Sequence, residues 1–298
     1  MINQEVIVNQ HLEEQVMLEH PDFPLGRFID QLDYFVDGSF LCHWHTNFEL
    51  AIILEGSVEY ILDQQPFSLE KGMGLFINSQ TMHSARQLIP GSVIFNISFP
   101  PSLFNTVLAT SLYQKYFNPL SLRKISGQMI SGDTAEGREI LEAFWHIHEA
   151  DPEEFTYELT CMENILHIWR NLLFLINQSE PEIYTYNDMF REQRMHRMIE
   201  FIQTHIDAPL TVEDISAAAN ISRSECFRCF SLFGQTTPME YTNRYRLQCA
   251  AQKLAHSNER ISDICFSCGF SSISYFGKSF HKAYGVTPSA YRKHPPGA

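Results

Sequence analysis

With 298 residues, 44% of them hydrophobic, the chain has the length of about two domains and the composition of an ordinary globular protein. No apolar run reaches the ~18 residues of a membrane-spanning helix; residues 165–176 come nearest and contain Arg170, and the first residues lack a charged-then-apolar secretory pattern, so a cytoplasmic protein is expected. The net charge of −14 argues against nucleic acid for the whole chain, but residues 194–298 hold 12 Lys+Arg and 8 Asp+Glu, a net +4, while the other 193 hold 9 and 27, a net −18.

That asymmetry fits a basic, phosphate-facing part joined to an acidic part that stays off phosphate. A net +4 is modest, so binding is expected to be salt-sensitive and to gain from a dimer. The seven cysteines are an odd number, and in a reducing compartment disulfides are not expected. Cys226-x-x-Cys229 and Cys265-x-x-Cys268 have the spacing of a paired zinc pattern. The first pair, however, falls on the apolar face of a helix pattern, where cysteines act as small buried hydrophobes.

In chain order, residues 1–25 read as an arm ending at Pro21-Asp22-Phe23-Pro24. From residue 26 to residue 99, short strands such as 50–54, 58–62 and 74–77 alternate with turns at Glu55-Gly56, Asp63-Gln64-Gln65-Pro66 and Glu70-Lys71-Gly72. This is the pattern of a small antiparallel barrel or jelly roll. If residues 43–53 form one strand, His43, His45, Glu49, Ala51 and Ile53 share a face.

Gly38, His43-Trp44-His45, Glu49 and Gly56 resemble the first cupin motif, H-x-H-x3-E-x6-G, with His83 at the position of the second motif's histidine. Gly72 is kept, whereas Asn78 and Gln80 stand where that motif has proline and glycine. The resemblance implies a cupin fold, and in metal-binding cupins these four positions hold Fe, Mn, Ni or Zn. Three imidazoles and a carboxylate suit a divalent transition metal. The same residues, bordered by Trp44 and Phe48, also suit a metal-free pocket that hydrogen-bonds a small effector, and a third reading leaves them solvated at a rim. If they face inward they need partners, because a buried polar group left unsatisfied costs roughly 1–3 kcal/mol.

Pro100-Pro101 ends the sheet region, and residues 103–117 are expected to be helical with Leu108, Leu112 and Tyr116 on one side. Residues 133–177 read as two helices broken near Asp151-Pro152. Met162, Ile165, Leu166, Trp169, Leu172, Leu173 and Ile176 form a wide apolar surface. It is expected to cover the barrel and, in part, to pair with a second subunit. The polar stretch 181–193 is the expected linker. Met195, Met198, Ile199, Ile202 and Ile206 then begin a helix of a second domain.

Residues 209–291 read as two helix-turn-helix units joined by one long helix. Thr211 and Asp214 cap the first short helix, Asn220-Ile221 makes the turn, and Ser222 with Glu225 opens a second helix through residue 233. Cys226, Cys229, Phe230 and Phe233 fall on its buried face; Arg223, Ser224, Phe227 and Arg228 fall on the other. In the second unit a short helix at 261–268, a Gly269-Phe270 turn and a helix at 271–284 repeat the layout. Phe276, Phe280 and Tyr284 face in; Ile273, Ser274, Gly277 and Lys278 face out. Thr237-Pro238-Met239-Glu240 opens the connecting helix, which runs to residue 256. At about 1.5 Å per residue it is roughly 28 Å long, and it suits two recognition helices about one DNA turn, roughly 34 Å, apart.

Arg246-Leu247, Ala250, Leu254, Ile261, Ile264, Gly269-Phe270, Tyr275-Phe276, Phe280, Gly285, Pro288 and Tyr291-Arg292 give this part its resemblance to the DNA-binding domain of AraC/XylS transcription regulators. The expected fold is α+β: an N-terminal cupin-like β-barrel or jelly roll with covering helices (1–180), a linker (181–193) and an all-α double helix-turn-helix domain (194–298).

The expected function is a ligand-responsive, sequence-specific transcription regulator and not an enzyme. Its DNA contacts are Ser222, Arg223, Ser224, Phe227, Arg228, Ser271, Ile273, Ser274 and Lys278. The first unit is expected to read bases and the second to anchor on phosphate. Expected partners are double-stranded DNA, a small-molecule effector (sugars are common among such relatives), a second copy of the chain and RNA polymerase, with no membrane. The rival class is a metal-dependent cupin enzyme, an oxygenase or isomerase, fused to a DNA-binding module. A third is a constitutive DNA binder whose barrel only dimerises.

Overall fold

The computed structural model describes residues 2–3, 23–104, 110–117, 125–178 and 186–294. Ten strands among them make two sheets. They are β1 (Ile2–Asn3), β2 (Gly26–Gln31), β3 (Ser39–His43), β4 (Phe48–Glu55), β5 (Ser57–Leu62), β6 (Gln65–Glu70), β7 (Gly74–Ile77), β8 (His83–Gln87), β9 (Val93–Phe99) and β10 (Gly127–Ile130). The larger sheet runs β1-β2-β9-β4-β7-β10 and the smaller β3-β8-β5-β6. The sheets do not close on each other, so the jelly-roll expectation holds as a two-sheet sandwich and not as a closed barrel.

β4 is buried on both faces and shows how the layers are built. Its period of two sends Ala51 and Ile53 into the core between the sheets, with Tyr60, Leu62, Leu75 and Ala85. Phe48, Leu50 and Ile52 face the other way, into a second core beneath the covering helices. Gly56 closes the β4–β5 turn at φ +80°, and a Cβ there would land on Ser92.

The covering helices are α1 (Thr110–Tyr116), α2 (Ala135–Glu149) and α3 (Tyr157–Gln178). Thr134 caps α2 by accepting from Gly137 N. Ile165, Trp169, Leu172 and Ile176 of α3 are buried against the larger sheet. Trp169 packs on Phe48 at 4.7 Å and on Phe117 at 4.9 Å, ring centroid to centroid. The expected helix over 103–117 is instead a short 3-10 turn at Pro101–Phe104 followed by α1, with Leu108 outside the described residues.

The C-terminal domain is all helical: α4 (Tyr186–Thr204), α5 (Val212–Ala218), α6 (Arg223–Gly234), α7 (Pro238–His256), α8 (Ile261–Ser267), α9 (Ile273–Tyr284) and α10 (Pro288–Lys293). The helix α4 begins at Tyr186, inside the stretch expected to be linker, and residues 181–185 of that stretch lie outside the described residues, as does most of the N-terminal arm. Thr211/Asp214 and Thr237/Glu240 both form reciprocal capping boxes, the second with Pro238 in the first turn. Asn220 takes the turn of the first unit at φ 55°.

In the second unit the turn residue is Gly269 at φ +78°, where a Cβ would collide with the Ile206 carbonyl. Arg246 donates to that same carbonyl (3.1 Å) and to Ala208 O (2.6 Å), tying the connecting helix to the end of α4. The two Cys-x-x-Cys pairs are buried in different cores, Cys226 and Cys229 in the first unit and Cys265 and Cys268 in the second. Burial raises all four thiols above the ordinary cysteine value, as small buried hydrophobes require.

Candidate effector site and DNA-reading surface

His43, His45, Glu49 and His83 are all buried and meet at one end of the sandwich. They do not come from one strand, as the spacing suggested. β3 ends at His43 in the smaller sheet, and β4 starts at Phe48 in the larger one. The chain turns a corner between them, and His45 sits on the corner. That corner is held by Gln80 N donating to His45 O (2.7 Å) and Ser79 Oγ donating to Thr46 O (2.7 Å). Gln80 adopts φ 64°, a left-handed setting that the glycine of the usual motif takes without strain. His43 and His83 are register partners in the β3–β8 ladder.

Each imidazole is oriented through Nδ1. His43 Nδ1 donates to Leu41 O (2.8 Å), His45 Nδ1 to Asn47 O (3.0 Å) and His83 Nδ1 to Thr81 O (2.9 Å). Carbonyls only accept, so each Nδ1 carries the hydrogen and each Nε2 is the inward atom. The ligand atoms of the three rings lie within 4.8 Å of one another. His45 Nε2 is 2.8 Å and His83 Nε2 3.7 Å from Glu49 Oε2.

Burial lowers the pKa of His43 to about 4 and that of His83 well below the ordinary value, with the neighbouring imidazoles adding to the effect. His83 is therefore neutral, and its bare Nε2, which has no hydrogen-bond partner, faces a carboxylate oxygen. A neutral imidazole nitrogen facing a carboxylate in a buried site calls for a proton or a metal cation between them. The spacing of these nitrogens is that of a group that could hold a metal ion.

Trp44 and Phe48, expected at the border of this cluster, point elsewhere. Trp44 lies over His196 of α4 with ring centroids 5.0 Å apart, because its side chain alternates with those of its histidine neighbours. Phe48 belongs to the core beneath α3.

On α6, Arg223, Ser224, Phe227 and Arg228 are exposed, while Cys226, Cys229, Phe230 and Phe233 are buried. Ser222 accepts from Glu225 N as the cap, so it sits at the start of that exposed face. Arg223 pairs with Glu213 of the preceding helix at 2.5 Å. Ser271 just before α9 and Ile273, Ser274 and Lys278 on it are exposed, and the aromatic stripe of Phe276 and Phe280 faces in. Tyr275, 55% exposed beside Ser274, also belongs to this surface. Sequence reasoning missed it by assigning outward positions from the apolar stripe alone.

Two family models match the two domains: residues 34–168 match the AraC-like ligand binding domain and residues 215–294 match a helix-turn-helix domain. The chain is 28% identical over 293 residues to an uncharacterized HTH-type transcriptional regulator, YdeC, of Bacillus subtilis, covering 96% of this chain and 98% of the relative. It is 24% identical to the melibiose operon regulatory protein of Escherichia coli, covering 84% and 83%. It is 26% identical to the lactose operon transcription activator of Staphylococcus xylosus, covering 56% and 58%. These relatives are regulators and not enzymes. A sensor sandwich carrying the match to the AraC-like ligand binding domain, followed by paired helix-turn-helix units, is thus a ligand-responsive DNA-binding protein, and the chain belongs to the AraC/XylS transcription regulators.

Proposed function

We propose that the sensor domain of this regulator takes up a divalent transition metal at His43, His45, His83 and Glu49. The reading is carried by the bare His83 Nε2 opposing the Glu49 carboxylate in a buried site. The three Nδ1–carbonyl hydrogen bonds supply the outer-shell support that fixes ring orientation in metal sites. An ion at about 2.0–2.1 Å from three nitrogens draws them to roughly 3–3.5 Å apart, a small contraction from the arrangement described. Bound there, the ion would supply a fixed positive charge and a Lewis-acid position beside the sandwich core. Metal analysis of protein purified without chelators or a metal column tests this. A stoichiometric transition metal that is lost in His45→Ala and His83→Ala supports it, and a metal-free protein ends it.

A sugar effector is the second reading, favoured by relatives named for the melibiose and lactose operons. Thermal-shift assays with melibiose and lactose separate it from the metal. Stabilisation by a sugar in metal-free protein, lost in the histidine variants, would make the cluster a metal-free pocket.

The regulator acts on double-stranded DNA in the cytoplasm, with RNA polymerase as the complex that its promoter binding serves. The exposed faces of α6 and α9 enter adjacent major grooves, α6 reading bases and α9 holding backbone. A homodimer forms through the outer side of α3 and the turn before it, where Phe155 is 99%, Leu159 71% and Phe174 55% exposed. Trp169, part of the surface first considered for this contact, is buried within its own domain. Sedimentation of the full chain as a dimer that Leu159→Asp dissociates supports this contact; a wild-type monomer at tens of micromolar refutes it.

A further inference from the structure

The two strands that supply His43 and His83 have a second occupation on their opposite face. Adjacent residues of a strand point to opposite sides. His43 and His83 turn inward, so their neighbours turn toward the DNA-binding domain. Cys42 and Met82 are buried in the hydrophobic core of the first helix-turn-helix unit, with Met195, Met198, Cys229, Phe230 and Phe233. The Tyr241 hydroxyl of α7 donates to Cys42 O at 2.9 Å, and Ser84 Oγ donates to Phe233 O at 3.1 Å.

A few residues earlier, Val36 enters the core of the second unit, beside Leu247, Ile264 and Phe280. Arg244 of α7 donates to Val36 O (3.1 Å), to Ser39 O (3.3 Å) and to Ser39 Oγ. One short run of the sensor domain therefore has one end in each helix-turn-helix core, and it ends at a member of the histidine cluster.

We infer that residues 36–44 are a splint: with the sensor docked they hold both helix-turn-helix units at one relative setting, and occupancy of the histidine cluster loosens that hold. The second half rests on the metal reading; the first does not. Drawing His43 and His83 inward to ligand distance retracts the backbone that carries Cys42 and Met82 from the first-unit core. Occupancy and docking then oppose each other, and by linkage whatever loosens docking favours occupancy by the same factor.

The test uses the full chain and the double variant Tyr241→Phe/Arg244→Gln, which removes docking hydrogen bonds from the DNA-binding side and touches no histidine; Arg244→Gln alone serves if the pair fails to fold. Amide hydrogen exchange across residues 36–44 is expected to accelerate at least tenfold. Zinc affinity, read by competition with a chromophoric chelator, is expected to rise about tenfold, within the usual range of site coupling. Unchanged exchange in a folded variant overturns the splint. Faster exchange with zinc affinity within twofold of wild type overturns the coupling. A wild-type chain that binds no zinc removes the metal reading and the coupling with it, while exchange still decides the splint.

Discussion

His43 and His83 stand opposite each other in the β3–β8 ladder, their ring centroids 4.1 Å apart. They reach this position from segments forty residues apart in the chain, and each is oriented by a carbonyl two residues before it, Leu41 for one and Thr81 for the other. The orientation of both rings is thus set before any ligand arrives. Loss of one ring should be felt by both strands. His83→Ala is expected to lower zinc affinity by about 100-fold or more, beyond the 10–100-fold of an outer-shell loss, as measured by chelator competition. A change under threefold would mean that His83 is not a ligand.

Acid should destabilise the metal-free protein. Burial lowers His43 and His196 to about 4 and His83 well below the ordinary value. The unfolded chain therefore binds more protons than the folded one below the unfolded histidine value. The stability contributed by neutral histidines is fully present above about pH 6.5 and is lost as pH falls from there toward 4. Thermal melts between pH 7.5 and 4.5 should show a progressive fall in Tm. A flat profile would contradict the burial of these rings.

Arg228 should matter more than Arg223 for base reading. Both are exposed on α6, but Arg223 is held by Glu213 and no ion pair is seen for Arg228 among the described residues. Arg228→Ala is expected to cost about 1–3 kcal/mol of discrimination at one base pair. Lys278→Ala on α9 should weaken all duplexes alike and reduce the salt slope by about one. Binding assays on a panel of single-substituted operators check both. Equal loss of specificity from the two variants would cancel the division of labour between the units.

Gly269→Ala should destabilise the second unit. It combines a left-handed backbone, costing an L-residue roughly 1–2 kcal/mol, with a Cβ driven into the Ile206 carbonyl that Arg246 already grips. Denaturant unfolding is the measure. A loss below about 1 kcal/mol would show that the α4 end yields easily.

The sequence by itself determined what local periodicity and capping chemistry control. Thr211, Thr237 and Pro238 placed the helix starts, Asn220 and Gly269 the turns, and the Phe276–Phe280 stripe the buried face of α9. The period of two put Ala51 and Ile53 on one face of β4, while Phe48, expected beside the cluster, lies in the core on the other face. The four residues of the cluster were also legible, because their spacing matches a known motif. What spacing could not show was that residues 43–53 bend across two sheets, since a corner depends on partners such as Gln80 and Ser79 that lie far along the chain. Nor could it place Trp44 on His196, Cys42 and Met82 in a helix-turn-helix core, or Arg244 on Ser39. Those contacts join residues about 40 to 200 positions apart, and only tertiary packing decides which of many apolar faces each one fills.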